Sequence, residues 1–348
     1  MGTRTGRVLR STRRAPRGSA PSVRHGPQRH TVTDLRLLLI GSGGFGVPAF
    51  GALHTHDPQS VVGVVTSVPR PSGRGGRLIG TPVARWARDH GLPLFEVGRL
   101  RDSSMQETIV SRGPTVGLLA DFGQIIPGAL LRAIPRGILN LHPSLLPAHR
   151  GAAPIPATIL AGDRETGVCT MLMDEGLDTG PLLKIQRYPL RGDEEAPLLE
   201  ANLAQLAAEG IVTTMKRYMA GEISPMPQSD SGVSTTRRLQ RSDGEILASW
   251  TAERAYRAWR AYRPWPGVWI SLAPALERLN LEVVGPPVSD AALPPGGLAV
   301  REGVLLLGLV DGAVPLHEVT PMGGRRMSGA ALIHGRPELL APRARIRP

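Results

Sequence analysis

The chain has 348 residues, a net charge of +12 and a single cysteine, Cys169. This length predicts about two domains, one cysteine excludes a disulfide framework and favours a reducing cytosol, and no apolar run reaches the roughly 18 residues of a membrane span. The charge says little about partners. Eight arginines lie in residues 1–33, which contain no acidic residue, so the rest of the chain carries only +4.

Residues 1–33 are rich in Arg, Ser, Thr, Pro and Gly and show no apolar period, which predicts disorder. Three interpretations fit this basic extension. It is the product of an upstream start codon with translation beginning near Val32, a cationic RNA-binding arm, or a targeting segment. We prefer the first.

The first predicted unit is a strand at Leu35–Ile40, a turn Gly41-Ser-Gly43-Gly-Phe-Gly46, and a helix at Val47–His54. Gly41, Gly43 and Gly46 fit a dinucleotide-binding fingerprint, which also needs an acid at the end of the second strand. That strand, Ser60–Thr66, is followed instead by Ser-Val-Pro-Arg70. An NADP-dependent oxidoreductase is therefore the weakest alternative, and we interpret the glycines as allowing a tight turn and close helix packing.

Strands and helices continue to alternate up to residue 221. The patterns predict helices at Thr81–His90, Met105–Ser111 and Ala196–Gly221, and strands at Leu92–Glu96, Val116–Ala120, Ile138–Leu141 and Gly167–Met173. This alternation predicts an α/β, Rossmann-like domain with a mostly parallel sheet and flanking helices, which we place at residues 34–222.

The composition changes after this domain. Residues 223–241 are rich in Pro and Ser, and we interpret them as a linker. A helix is predicted at Glu253–Tyr262, and short strands separated by Gly and Pro at Leu281–Val284, Gly297–Val300, Val304–Leu309 and Val314–Val319. These predict a smaller OB-like β-barrel domain at residues 242–340, followed by a tail at 341–348.

Two motifs carry the chemistry: Asn140-Leu-His142-Pro-Ser-Leu-Leu-Pro-Ala-His-Arg-Gly151 and Met173-Asp-Glu-Gly-Leu-Asp178-Thr-Gly180. Asn140 and His142 alternate along an extended strand, so both side chains point to one side, near the sheet edge where open α/β sheets bind ligands. An amide or imidazolium can stabilise an oxyanion, and a carboxylate can move protons. Taken singly, each residue also suits an ordinary cap, turn or half-buried position; only the joint pattern indicates a site.

Together the two motifs resemble the folate-dependent formyltransferases over their whole length. The resemblance implies that Asn140, His142 and Asp178 are catalytic, that Ser144 supports them, and that 10-formyltetrahydrofolate is the co-substrate without a metal. The family's Tyr-Gly or Phe-Gly step is matched by Phe122-Gly123-Gln-Ile-Ile-Pro127. The predicted folate-binding residues are Phe122, Gly123, Ile125, Pro127, Ser144, Leu145, Leu146, Pro147, Asp174 and Asp178.

The rest of the chain resembles the family members that formylate methionyl-tRNA. Residues 66–78 are similar to their tRNA-contacting loop, although this chain has Pro69 where those members usually have an acid. Four arginines spaced by three residues precede Pro264-Trp-Pro266, as in the second domain of those members; a solvated helix face is the ordinary alternative. The predicted tRNA-binding residues are Arg70, Arg74, Arg77, Arg254 and Arg257.

The resemblance implies formyl transfer to the amino group of methionyl initiator tRNA, giving formylmethionyl-tRNA for translation initiation. It also implies a cytoplasmic monomer without membrane association. A sugar-nucleotide N-formyltransferase that uses the same donor is the alternative. A non-catalytic RNA-binding relative is disfavoured because Asn140, His142 and Asp178 are all present.

Overall fold

The computed structural model describes residues 35–72, 76–273, 277–289, 292–341 and 346–347. The interpretations of residues 1–33 and the predicted role of Arg74 lie outside the described residues. Among the described residues, no helix combines the length and the apolar character that crossing a bilayer requires.

The N-terminal part is built from alternating strands and helices. Its elements are β1 (Leu37–Gly41), α1 (Val47–His56), β2 (Val61–Ser67), β3 (Arg70–Ser72), β4 (Arg77–Ile79), α2 (Pro82–Asp89), β5 (Leu94–Val97), α3 (Ser103–Val110), β6 (Val116–Ala120), α4 (Gly128–Ala133), β7 (Ile138–His142), β8 (Arg150–Gly151), α5 (Pro154–Ala161), β9 (Glu165–Leu172), β10 (Leu182–Pro189) and α6 (Ala196–Met219).

Seven of these strands form a sheet in the order β10-β9-β7-β6-β1-β2-β5. The pairs among β5, β2, β1, β6 and β7 are parallel. At one edge of the sheet, β9 pairs antiparallel with β7, and β10 pairs antiparallel with β9. This confirms the predicted α/β class with a mostly parallel sheet. The edge strand β10 was not predicted, and its pairing with β9 depends on the tertiary fold.

Strand β1 shows how the sheet separates two apolar cores. Leu37 and Leu39 pack with residues of α1 and α6, whereas Leu38 and Ile40 pack with residues of α3 and α4. Every residue of β1 is buried, because helices cover both faces of the sheet. The side-chain alternation of a strand therefore delivers neighbouring leucines to different cores.

The glycine turn between β1 and α1 brings the start of the helix close to the end of β6. A Cβ atom on Gly46 would lie 2.8 Å from the Cβ of Ala120, and one on Gly43 would overlap the Asp121 carboxylate. These close approaches support the interpretation that the glycines allow tight packing.

The C-terminal part is an antiparallel β-domain, which confirms the predicted second β-domain; the helix predicted at Glu253–Tyr262 is found as α7, whereas α8 was not predicted. Its elements are β11 (Thr235–Thr236), a 3₁₀ turn (Arg241–Gly244), α7 (Ala252–Ala261), β12 (Val268–Leu272), β13 (Glu277–Val284), β14 (Leu298–Arg301), β15 (Val304–Leu309), β16 (Gly312–Pro321), β17 (Met327–Ser328), α8 (Gly329–Gly335) and a second 3₁₀ turn (Pro337–Leu340). The sheet has the order β12-β13-β16-β15-β14, and β17 pairs with β16.

Candidate active site

The structure brings Asn140, His142 and Asp178 together. Asn140 and His142 lie on β7 with only 6% and 4% of their surface exposed, and Asp178 lies in the connection from β9 to β10. The Nδ2 atom of Asn140 donates to Oδ1 of Asp178 at 3.4 Å, and Nδ1 of His142 lies 3.7 Å from Oδ2 of Asp178. The strand alternation thus places amide and imidazole beside one carboxylate.

The loop that carries Asp178 is shaped by its own polar groups. Asp178 has a left-handed backbone with φ of 52°, a conformation that non-glycine residues rarely adopt and that concentrates at functional sites. Its Oδ2 accepts a hydrogen bond from the backbone N–H of Gly151 at 2.7 Å. Asp174, a predicted folate ligand, accepts bonds from the Thr179 hydroxyl and the Gly176 N–H, so its carboxylate organises this loop.

The His142 imidazole is held in a definite orientation. Its Nε2 lies 3.0 Å from the backbone oxygen of His149, which can only accept, so we assign the proton to Nε2. Burial lowers the pKa of His142, although the Asp178 charge opposes this shift. The neutral imidazole therefore turns an unprotonated Nδ1 toward Asp178.

The loop after β7 is held to its surroundings at several points. The Ser144 hydroxyl, fully buried, donates to the backbone oxygen of Ala148 at 2.6 Å. His149 has φ of 57°, and its Nε2 lies 2.7 Å from Oδ2 of Asp163. Leu146, which precedes a cis bond to Pro147, is buried in a small cluster with Cys169, Met171 and Leu182. Ser144 and Leu146 therefore act within the protein, by shaping the loop.

The predicted folate loop at residues 122–127 follows β6 and Asp121. Because β6 and β7 are neighbouring parallel strands, this loop leaves the sheet at the carboxyl ends of the strands, as does His142. Phe122 is buried in the core, whereas Ile125 is 90% exposed. The backbone oxygen of Gly123 accepts a hydrogen bond from Arg238 at 3.0 Å. The loop thus presents one large apolar side chain to solvent beside the candidate site.

Arg70 and Arg77 belong to a β-hairpin that the sequence did not predict. Strands β3 and β4 pair antiparallel, with Arg70 opposite Ile79 and Ser72 opposite Arg77. Both arginines are exposed. The hairpin therefore projects two cationic side chains from the segment after β2.

The four arginines of residues 254–263 have different surroundings. Arg254 is exposed and stacks on the Trp250 ring, with its guanidinium carbon 4.0 Å from the ring centroid. The other three bind the N-terminal part of the chain: Arg257 donates to the Ala161 carbonyl at 3.1 Å, Arg260 to the Glu194 carbonyl at 3.3 Å, and Arg263 pairs with Glu195 at 3.0 Å. These three arginines therefore join α7 and the residues directly after it to the α/β part. The four arginines together form neither a free cationic face nor a purely solvated helix face.

Sequence reasoning missed the part played by residues 226–236. This segment was interpreted as linker, yet its Gln228 side chain donates to the backbone oxygens of Asp178 and Gly180, both at 2.8 Å. Its Ser234 hydroxyl accepts from the His149 N–H at 2.8 Å. A Pro/Ser-rich composition carries no signal for such contacts. The segment also contacts Arg150 and Gly151, at the end of the first motif, and that motif is the sequence signal that lies closest to it.

No three His, Cys, Asp or Glu side chains in the described part of the chain come together as a metal site would require. The one cysteine, Cys169, is buried, and burial raises the pKa of its thiol to about 11. The thiol is therefore protonated at neutral pH and suits a core position.

Comparisons with known proteins match both parts of the chain. The formyl transferase family model matches residues 35–215, and the model of the formyl transferase C-terminal domain matches residues 238–337. Methionyl-tRNA formyltransferase from Symbiobacterium thermophilum is 37% identical over 86% of this chain and 92% of its own length. The enzyme of that name from Thermus thermophilus is 38% identical over 86% of this chain and 96% of its own length.

Solved structures show the same fold at much lower identity. An N-formyltransferase from Helicobacter canadensis, in complex with folinic acid and dTDP-3-aminofucose, superposes with a TM-score of 0.61 at 14% identity and covers 81% of this chain and 98% of its own. HypX from Aquifex aeolicus, in complex with tetrahydrofolic acid, gives a TM-score of 0.56 over 86% of this chain and 47% of its own. Since family models match both parts and relatives above 30% identity span most of its length, this chain belongs to the formyl transferase family.

Proposed function

We propose that this protein transfers a formyl group from 10-formyltetrahydrofolate to the amino group of methionyl initiator tRNA. The product is formylmethionyl-tRNA, which serves translation initiation. The observation that carries the proposal is the assembly of the buried Asn140 and His142 with the half-buried Asp178 in one cluster, within a chain that matches methionyl-tRNA formyltransferases across both domains.

The chain divides by role. We assign catalysis to residues 34–222 and tRNA binding to residues 242–340, with residues 223–241 joining them. The two family matches, at residues 35–215 and 238–337, support this division.

Asn140 stabilises the charge that develops on the formyl oxygen as the amine attacks. One N–H of its amide is directed to Asp178, which fixes the side chain and leaves the second N–H for the substrate oxygen. Removing one preorganised donor of this kind typically costs roughly 10²–10³ in rate. His142 is a poorer candidate for this role, because burial lowers its pKa and favours the neutral imidazole.

Asp178 and His142 manage the proton of the attacking amine. The bond between the amine nitrogen and the formyl carbon forms while the bond from that carbon to the donor nitrogen breaks. The amine gives up one proton, and the departing nitrogen takes one up. The Asp178 carboxylate and the unprotonated Nδ1 of His142 face each other across 3.7 Å, so two proton acceptors converge where the amine must arrive.

The chemistry of the surrounding loops fits a folate donor, which supplies the formyl group. Ile125 and Leu177 are large apolar side chains with 90% and 61% exposure, in the loops that follow β6 and β9, and a flat heteroaromatic ring would cover such surface. We therefore assign the donor site to residues 122–127, 144–147 and 174–178. Ser144, Leu146 and Asp174 contribute by shaping these loops.

The tRNA is held through its phosphates. The exposed Arg70 and Arg77 of the β3–β4 hairpin and the exposed Arg254 are the arginines that we assign to this role. Arg257, also predicted from the sequence, pairs with Glu253 and donates to Ala161, so its main contribution is to hold α7 against α5. We further propose that the protein is cytoplasmic and acts as a monomer. Sedimentation analysis of the pure protein tests the monomeric state.

The deciding experiment measures formyl transfer from 10-formyltetrahydrofolate to methionylated initiator tRNA and, separately, to a dTDP-amino sugar. We expect transfer to the tRNA alone and a loss of roughly 10²-fold or more in Asn140→Ala. Asn202→Ala is the matched control, because it removes an asparagine amide of a different site. The Asn202 amide, on α6, donates to the Tyr188 hydroxyl on β10. Transfer to the sugar but not to the tRNA would show that the acceptor is wrong while the chemistry stands.

A further inference from the structure

We propose that Gln228, in the segment that joins the two domains, is a positioning residue for formyl transfer. It acts through Asp178 and does not itself touch the reacting atoms. This inference rests on the proposed function in one respect, namely that Asp178 is the catalytic carboxylate.

The Gln228 side chain uses its full hydrogen-bonding capacity. Its Nε2 donates to the backbone oxygens of Asp178 and Gly180, each at 2.8 Å. Its Oε1 accepts from Nη2 of Arg150 at 2.7 Å and from Nε of the same guanidinium at 3.1 Å. An amide has two N–H donors and one oxygen with two lone pairs, so each is matched by one partner.

These bonds complete a ring around the catalytic carboxylate. Gln228 holds the backbone of Asp178, the Asp178 side chain accepts from the Gly151 N–H, and the Arg150 side chain returns to Gln228. The carboxylate is thus fixed from its main chain and from its oxygen at once. Such support is needed because Asp178 has an unfavourable left-handed backbone.

The segment that carries Gln228 is itself anchored on both sides. Met226 exchanges two backbone hydrogen bonds with Leu182, at 2.7 and 2.8 Å, directly after the Asp178 loop. On the other side, the Arg150 N–H donates to the Ser234 oxygen at 2.9 Å, and β11 pairs with β8. Gln228 is therefore held against the site from two directions and does not depend on its own bonds for placement.

Gln228 bonds the backbone oxygens of Asp178 and Gly180 and the Arg150 guanidinium, and the proposed mechanism assigns no tRNA contact to these groups. Loss of Gln228 should therefore let the carboxylate move without removing a contact to the tRNA. A displacement of about 1 Å in a catalytic group can cost up to roughly 10²-fold in rate. The signature is a fall in kcat with little change in KM for the tRNA.

The test compares Gln228→Leu, Gln228→Glu and the neighbouring control Ser229→Ala. Ser229 is exposed, and its side chain bonds only within residues 229–231 among the bonds described. We expect kcat to fall about tenfold or more in Gln228→Leu, with KM for the tRNA within about twofold of wild type. Gln228→Glu keeps the acceptor for Arg150 but loses both donated bonds, so its kcat should fall as well. Wild-type kcat in Gln228→Glu would overturn the proposal.

A second measurement, amide hydrogen exchange, does not depend on which molecule accepts the formyl group. Gln228→Leu should speed exchange in peptides covering residues 174–182, with α6 unchanged as an internal reference. If wild type fails to formylate methionyl-tRNA, the proposed function fails, and exchange still decides whether Gln228 holds the loop. Unchanged exchange overturns the proposal. If Gln228→Leu does not fold, Gln228→Glu carries both measurements.

Discussion

Oδ2 of Asp178 accepts a hydrogen bond from the backbone N–H of Gly151 at 2.7 Å. This bond joins the two motifs that the sequence showed as separate segments. The backbone N–H of Gly151 thus orients the Asp178 carboxylate toward Asn140 and His142, although Gly151 has no side chain. Both ends of the bond therefore offer a test of the site.

Asp178→Asn should retain the fold and lose formyl transfer. The amide has nearly the shape of the carboxylate and can still accept from Gly151, but it cannot take up the proton of the amine. We expect kcat to fall by roughly 10²–10⁴, the usual contribution of a general acid or base. Single-turnover formyl transfer checks this, with thermal unfolding as the control for structure. Activity within a few-fold of wild type would show that the carboxylate does not move protons.

Gly151→Ala should disturb the carboxylate from the other side. Gly151 has φ of 106°, and an added Cβ would overlap the backbone oxygen of Thr236. We expect a loss of about 10²-fold in kcat, because the N–H that aims Asp178 must shift. The measurement is again formyl transfer under saturating donor and tRNA.

Gly192→Ala is the matched control for that variant. Gly192 has φ of 96°, and an added Cβ would meet no heavy atom within 4 Å. It introduces backbone strain of the same kind away from Asp178. Equal loss of kcat in the two variants would attribute the effect to general strain and contradict the role given to Gly151.

Stability should fall as the solution becomes acidic, in part because of His142. Burial lowers the pKa of His142 below its ordinary 6.5, while the Asp178 charge and the bond to the His149 carbonyl oppose this shift. Between the lowered and the ordinary pKa, the unfolded chain binds more protons than the folded one, so stability is present above 6.5 and is lost as pH falls below it.

The check compares wild type with His142→Gln, which does not titrate there. Urea unfolding at about pH 7.5 and about pH 5.5 should show a smaller drop in unfolding free energy for the variant than for wild type. An equal drop in both would show that His142 is not the source of the acid sensitivity.

Arg77→Ala should weaken tRNA binding without slowing chemistry. Loss of one phosphate contact should raise KM for the charged tRNA and reduce the slope of log affinity against log salt by roughly 0.7–0.9. The kcat should stay near wild type, because the hairpin lies outside the catalytic cluster. Arg217→Ala, an exposed arginine at the end of α6, is the control. An unchanged KM and salt slope would remove Arg77 from the tRNA interface.

Much of the fold followed from local patterns. Val116–Ala120 and Val304–Leu309 coincide with β6 and β15, because short apolar runs between turn residues are sufficient to mark buried strands. The strand β10 and the β3–β4 hairpin were missed. The strand β10 lies at the sheet edge and is only partly buried, and β3 and β4 are three residues each, with exposed side chains at residues 70–71 and 77–79, so neither element has the apolar run that marks a buried strand.

The same division applies to the site. The sequence by itself predicted the three side chains to which we assign the chemistry, because an amide, an imidazole and a carboxylate in two long motifs are recognisable without coordinates. Only the tertiary structure decided what holds them. The Gly151 N–H, the His149 carbonyl and the Gln228 amide are supplied by backbone geometry or by a segment of unremarkable composition. Contacts to backbone atoms across long sequence separations depend on packing, and packing is absent from the linear order of residues.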